Sequence, residues 1–394
     1  MRGEGKNQNL KGVTPYPLPL TMFGLYIHLP FCQKKCAYCS FNSIVYNPDL
    51  ARKYLAALEL EIRRYEQPLP PLTSIYFGGG TPSIFSPPEI ETILSQCLKR
   101  FTLAGQPEIS LEANPNTVNL ENLKAYRKLG INRLSLGAQS LDSTHLATLG
   151  RLHTAGQVRI AAEQARQAGF DNLSLDMIFG IPGQTAAGFR RELEQLIGLS
   201  PQHISLYNLT LEEGTVLYEQ VRQGKLPRPQ EETEARMYRL ATDLLAEAGF
   251  GHYEISNFAR PTRQCRHNLN YWLSGEYLGL GAGACSYLSG KRWTNNPDIR
   301  EYISALENGG SPVTEMEEIT DPIAVREWLM LRLRMLSGLE DGDFRQRFGR
   351  SLAEIFGPRI KRLAEQNLVL WDGQRLKINP EKLFISNEVL VAFQ

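Results

Sequence analysis

Between residues 23 and 258, short apolar, β-branched runs alternate with longer stretches whose apolar residues recur at helical spacing. The runs "FGLYIHLP", "LTSIYFGGG", "PEISLEANP", "INRLSLGAQ", "NLSLDMIFG" and "HISLYNLT" read as six strands. Residues 49–65, 88–101, 119–129, 155–168 and 185–199 read as the helices between them, and 231–248 as a sixth after the last strand. Such repetition predicts a parallel sheet with helices outside it. Six units without a G-x-G-x-x-G fingerprint favour a partial, open (β/α)6 barrel over a doubly wound sheet. The fold class expected is α/β.

The pattern changes after the sixth unit. Gly and Pro crowd residues 265–297, where "YLGLGAGACSYLSG" reads as loops or a short β excursion. From residue 320 come helical "DPIAVREWLMLRLRML", "DGDFRQRFGRSLAEIF" and "RIKRLAEQNL", then hairpin-like "LVLWDGQRLKINP" turning at Asp372-Gly373. Three helices and a hairpin predict a small winged-helix-like α+β domain. The expected divisions are a flexible segment 1–22, a barrel 23–258, a connecting region 259–319 and a C-terminal domain 320–394.

Composition narrows the function classes. With 43 basic and 42 acidic residues and no basic block, nucleic acid is not an expected partner, winged helix or not. No run approaches 18 apolar residues, so no transmembrane segment is expected, and the polar, proline-broken start lacks the apolar core of a signal peptide. A cytoplasmic location follows as an expectation, and there cysteines serve as ligands or buried hydrophobes rather than disulfides. Cys97, in helical "EIETILSQCLKRF", reads as core.

Three of the six cysteines, Cys32, Cys36 and Cys39, crowd into "HLPFCQKKCAYCSF" with spacing C-x3-C-x2-C. Disulfide pairing would leave one over. A structural zinc needs four ligands; His28 is near, but no second C-x2-C or C-x2-H pair exists to close the site. A [4Fe–4S] cluster on three thiolates leaves one iron open to another ligand.

This loop after a first strand is similar to the signature of the radical S-adenosylmethionine (SAM) superfamily. "YIHLPFCQKKCAYCSF" resembles the oxygen-independent coproporphyrinogen III oxidase group within it. The resemblance implies a [4Fe–4S] cluster on Cys32, Cys36 and Cys39, whose free iron chelates SAM. It also implies an electron donor such as flavodoxin or ferredoxin, and cleavage of SAM to methionine and a 5′-deoxyadenosyl radical. Matching positions assign to SAM Tyr26, the residues Gly79, Gly80 and Thr81 of "FGGGTP", Glu112 of "LEANP", Gln139 of "LGAQS", Arg151 and Asp176. The chemistry agrees: a guanidinium forks onto a carboxylate, and a carboxylate accepts from a ribose diol.

Two departures separate the chain from the oxidases. They carry a further cysteine two residues after the third, where this chain has Phe41, and a longer segment before the first strand. Both departures match the oxidase-like HemW-type branch, a family of haem chaperones. "CRHNLNYW" adds that branch's H-N-x-x-Y-W at His267, Asn268, Tyr271 and Trp272. Haem is therefore an implied ligand, with His267 as axial imidazole and Tyr271 stacking, and with Cys265, His252 and Cys285 as further ligand candidates. The expected function is a haem chaperone that transfers haem to a recipient haem protein while retaining cluster and SAM. The alternative is oxidative decarboxylation of coproporphyrinogen III, or another radical reaction; no catalytic residue is assigned.

Overall fold

A computed structural model describes residues 22–65 and 68–393. All but Met22 of the expected flexible segment 1–22 lies outside them.

The six expected strands are present as β1 (Phe23–Leu29), β2 (Leu72–Gly79), β3 (Leu103–Ala113), β4 (Arg133–Gln139), β5 (Leu173–Phe179) and β6 (His203–Asn208). They pair in chain order, each parallel to the next. Each strand alternates. In β4, Leu134, Leu136 and Ala138 are fully buried in the apolar core, while Arg133, Ser135, Gly137 and Gln139 line a cavity inside the barrel. In β5, Leu173, Leu175 and Met177 take the core side and Asp176 the cavity side. A strand of period two thus separates an oily outer face from a polar inner one.

The helices α1 (Pro48–Arg63), α2 (Pro87–Arg100), α3 (Leu120–Lys128), α4 (Ala155–Gln167), α5 (Ala186–Gly198) and α6 (Glu231–Glu247) cover the oily face, and side chains fix the start of most of them. The first, α1, starts with Asn47 accepting from the Leu50 N–H and buries Tyr54, Leu58 and Ile62. Capping boxes, Ser86 with Glu89 and Thr154 with Gln157, open the helices Pro87–Arg100 and Ala155–Gln167. Cys97 lies in the first of these and is fully buried, among apolar residues.

The sheet extends beyond the six strands at both edges, on one of them through the stretch read as loops or a short β excursion. After β6 come β7 (Gly251–Glu254) and β8 (Asn257–Ala259), then β9 (Glu276–Leu280), β10 (Cys285–Leu288), β11 (Lys291–Asn295) and β12 (Val313–Glu318). The order across the sheet is β12-β11-β10-β9-β1-β2-β3-β4-β5-β6-β8-β7. β9 is a seventh parallel strand, on the free side of β1, and β10 to β12 continue antiparallel. Its glycines hid it. Gly279 sits where a Cβ would come within 2.2 Å of the Cys285 carbonyl oxygen, so close strand approach, not loop flexibility, explains that glycine.

The last region holds helices Asp321–Arg332, Asp341–Phe348 and Leu352–Glu365 and a sheet ordered Leu339–Glu340, Arg375–Ile378, Val369–Trp371. The hairpin turns at Asp372-Gly373, where Gly373 takes φ +93°. A 3-10 turn, Pro380–Ile385, and a short helix, Ser386–Val391, follow; no sequence pattern announces either.

Candidate functional site

Register places the inward side chains in layers. It sets Tyr26 beside Tyr76, Glu112 beside Ser135 and Asp176 beside Ser205. Above them, at the C-terminal ends of the strands, runs the cysteine loop. The Gly80 and Thr81 N–H groups donate to Leu29 and Phe31 carbonyls at 2.9 and 2.8 Å, and the Ala37 N–H to Leu149 at 3.0 Å. The loop is therefore tied to the end of β2 and to the end of the short helix Ser143–Thr148 that follows β4.

A cavity of about 420 Å³ opens beneath it. Cys32, Cys36 and Cys39 line it, together with Gly79, Gly80, Thr81, Glu112, Gln139, Arg151 and Asp176. Ten of the predicted residues thus meet in one space. The thiols of Cys32 and Cys39 are raised in pKa by burial, so a bound metal would have to displace their protons. Among the described residues, no three His, Cys, Asp or Glu side chains converge to hold a single ion. A four-iron cube takes each thiolate on a different iron, so it does not require the three thiols to converge on one point as a single zinc ion does.

The polar residues are held individually. Arg151 donates to Asn114 Oδ1, to the Gly137 carbonyl at 3.0 Å and to Cys36 Sγ at 3.5 Å. Asp176 receives Ser135 Oγ at 3.1 Å on both oxygens. Burial raises its pKa, opposed by Ser205, Arg133, Ser135 and Ser174. Glu112 accepts from Tyr76 at 2.8 Å and from the Gly79 N–H at 3.2 Å. Burial, reinforced by Asp176, still pushes its carboxyl up to about 7.

Gln139 takes φ +62°, a left-handed conformation that side chains seldom adopt. The turn after it is pinned by buried Glu192, which accepts from Ser140 Oγ, the Leu141 N–H at 2.9 Å and Gln184 at 3.2 Å, and pairs with His145 at 3.1 Å. The glycines have a packing reason. A Cβ on Gly80 would lie 2.6 Å from the Phe31 carbonyl oxygen, and one on Gly79 2.6 Å from His28 Nδ1.

Tyr26 is outside the cavity lining. Its hydroxyl donates to His28 Nδ1 at 3.0 Å, while His28 Nε2 donates to the Asn42 carbonyl at 3.0 Å. Tyr26 thereby links the barrel wall to the far end of the cysteine loop.

The H-N-x-x-Y-W segment is a helix, α7 (Arg266–Trp272), lodged against the N-terminal halves of β1 and β2. Glu108 accepts from the Arg266 and His267 N–H groups at 3.1 and 3.2 Å, so a buried carboxylate caps its start. His267 differs from the expectation of an axial ligand. It is 1% exposed, Nδ1 is bonded to Ser74 Oγ at 2.9 Å, Nε2 to Tyr271 Oη at 2.9 Å, and its ring stacks on Tyr76. One nitrogen of a neutral imidazole donates and the other accepts, so no lone pair is left for iron in this arrangement. Burial, with Arg133 nearby, lowers its pKa to about 3. Cys265 is fully buried with its thiol against Glu108, and His252 stacks on Phe258 at 4.0 Å, so these weaker candidates are also packed in.

Sequence reading missed Arg133, Asn114, Tyr207 and Glu192. The first three line the cavity, as does Asn268 of the H-N-x-x-Y-W segment. Arg133 is 2% exposed, its Nε has no partner, and nearby Glu108 supports its charge against burial. The period-two alternation of "RLSLGAQ" marks Arg133 as inward-facing on the same face as Gln139, which is the signal that would have found it.

Known proteins fit this geometry. The Radical SAM superfamily matches residues 26–196, and the HemN C-terminal domain residues 319–385. The chain is 35% identical over 377 residues to "Heme chaperone HemW" of Bacillus subtilis, covering 94% of this chain and 99% of that one. A protein of the same name from Synechocystis is 36% identical, over 93% of this chain and 95% of its own. Bovine mitochondrial "Radical S-adenosyl methionine domain-containing protein 1" is 34% identical, over 93% and 86%. Among solved structures, coproporphyrinogen III oxidase (HemN) from Escherichia coli superposes with TM-score 0.84 at 23% identity, over 95% of this chain and 90% of that chain, and so shares the fold. Cysteine loop, layered barrel and C-terminal domain together with this likeness place the chain in the HemW family of HemN-like radical SAM proteins.

Proposed function

We propose that this protein binds haem and passes it to a recipient haem protein, while keeping a [4Fe–4S] cluster and SAM at the top of its barrel. The observation that carries this reading is likeness, over 93–95% of the chain, to proteins named heme chaperones. Phe41 supports it: where the oxidases have a further cysteine, this chain has a 68% exposed phenyl ring at the cavity mouth.

Cys32, Cys36 and Cys39 would hold the cluster, which when bound supplies an open iron for SAM and an electron taken from a flavodoxin- or ferredoxin-like donor. The chain's own residues bind and orient. Arg151, steadied by Asn114 and Gly137, offers its guanidinium to the SAM carboxylate. Asp176, held by Ser135, accepts from the ribose hydroxyls. Glu112 and Gln139 accept and donate around the polar atoms between them. Gly79, Gly80 and Thr81 keep the cavity wall close to the cysteine loop.

The test is anaerobic incubation of reconstituted protein with SAM and reductant, in parallel with coproporphyrinogen III and with hemin plus an apo-haem protein. The expected result is hemin uptake and delivery without protoporphyrinogen. Decarboxylated porphyrinogen without hemin uptake would overturn the chaperone reading in favour of the oxidase.

A further inference from the structure

We propose that the haem seat is a second cavity, on the side of α7 facing away from SAM, and that His267 is not its iron ligand. This rests on the haem reading above and specifies where that reading acts. The cavity, of about 410 Å³, lies between α7, the β9–β11 extension and the helix Asp321–Arg332. That volume falls in the range of sites enclosing a medium-sized organic ligand. It shares no lining residue with the SAM cavity. α7 is the partition: Asn268 faces the SAM side, and Tyr271 lines the second cavity.

The walls suit a flat macrocycle. Tyr271, Tyr277, Tyr287 and Trp328 supply aromatic surface, with Tyr271 and Tyr277 edge-to-face at 4.7 Å. The charges suit its propionates. Arg292 and Arg347 line the cavity; Arg292 Nη2 lies 2.7 Å from both oxygens of Glu327, which neutralises the one acid in the lining. Arg292 also pairs through Nε with Glu317 at 3.2 Å, so Arg347, which has no ion pair among the described residues, is the cation left for a propionate. None of the six histidines lines this cavity, whereas three phenols do, so a seated iron meets oxygen rather than imidazole.

The test titrates the full chain with hemin and with metal-free protoporphyrin IX, reading Soret absorbance and tryptophan quenching. Ala324→Trp fills the cavity from the helix Asp321–Arg332, and Arg347→Glu reverses the free charge. Each is expected to weaken both porphyrins by at least about tenfold, with circular dichroism and iron–sulfur content unchanged. His267→Gln is expected to keep the Soret band where it is, and any loss of hemin affinity is expected to be matched by metal-free protoporphyrin IX, because the variant removes the partner of Tyr271 and not an iron ligand. If Ala324→Trp and Arg347→Glu bind hemin like the parent, the seat is elsewhere although haem binding stands. If His267→Gln alone shifts the Soret band, imidazole ligation is restored and the proposal falls. If the parent takes up neither porphyrin, the chaperone reading itself falls.

Discussion

Ser74 Oγ lies 2.9 Å from His267 Nδ1, joining the second barrel strand to the helix packed against its N-terminal half. With Tyr271 on Nε2 at 2.9 Å, the imidazole is the hub of a buried chain, Ser74–His267–Tyr271. Gly24 makes room for it: a Cβ there would lie 3.2 Å from the ring and from Asn270.

His267→Ala should therefore act on stability. It leaves two hydroxyls without their partner and opens a void against Tyr76, for a loss on the order of 2–4 kcal/mol. Chemical denaturation measures this. Stability equal to the parent would show that the chain of hydrogen bonds contributes nothing.

The cluster gives the second expectation. Reconstituted protein should hold about four irons per chain, and alanine at Cys32, Cys36 or Cys39 should abolish the brown chromophore. Cys97→Ala, in the core, should keep it while losing stability. Iron analysis of the four variants reads the difference, and retention of iron by Cys36→Ala would contradict the assignment.

SAM affinity gives the third. Arg151→Ala and Asp176→Asn each remove a charge-assisted hydrogen bond, worth roughly 1.5–3 kcal/mol, and should weaken SAM binding about tenfold or more. Equilibrium dialysis with cluster-loaded protein is the measurement. Both variants binding SAM as the parent does would take these residues out of the site.

Glu192 should matter without touching the ligand. Although burial opposes its charge, bonds from His145, Ser140, Leu141 and Gln184 hold its carboxyl below the ordinary range, and they fix the turn after Gln139. Glu192→Leu should release the left-handed Gln139 and weaken SAM severalfold with cluster content intact. An unchanged affinity would mean that Gln139 holds its conformation unaided.

Glu112 predicts a pH dependence. Its carboxyl titrates near 7 in the fold, from burial first, against 4.5 unfolded. A raised acid pKa means that the folded state binds the proton more tightly, so its contribution falls as pH rises from 4.5 through 7. Across that window the parent should lose up to about 3 kcal/mol relative to Glu112→Gln, less because the group faces a water-accessible cavity. Paired urea melts at about pH 5 and pH 8 decide it; parallel curves would place the carboxyl at its ordinary pKa.

Sequence alone determined the six strand–helix units, because period-two and period-3.6 patterns are local and each strand buries its own apolar face. It also determined the thiols, whose spacing within one loop survives any packing, and the polar residues at strand ends. Only tertiary structure decided the seventh strand. There Gly279, between Leu278 and Leu280, answers to the backbone of β10 rather than to any periodicity of its own strand. Only tertiary structure decided the fate of His267 as well. In sequence an imidazole beside Tyr271 reads equally as ligand or as packing. The choice is made by Ser74, Tyr76 and Glu108, brought from 159 to 193 residues away to occupy a ring nitrogen, stack on the ring and cap the helix. Hydrogen-bond satisfaction of a buried polar group is a property of everything around it, and so is not written in any short stretch of chain.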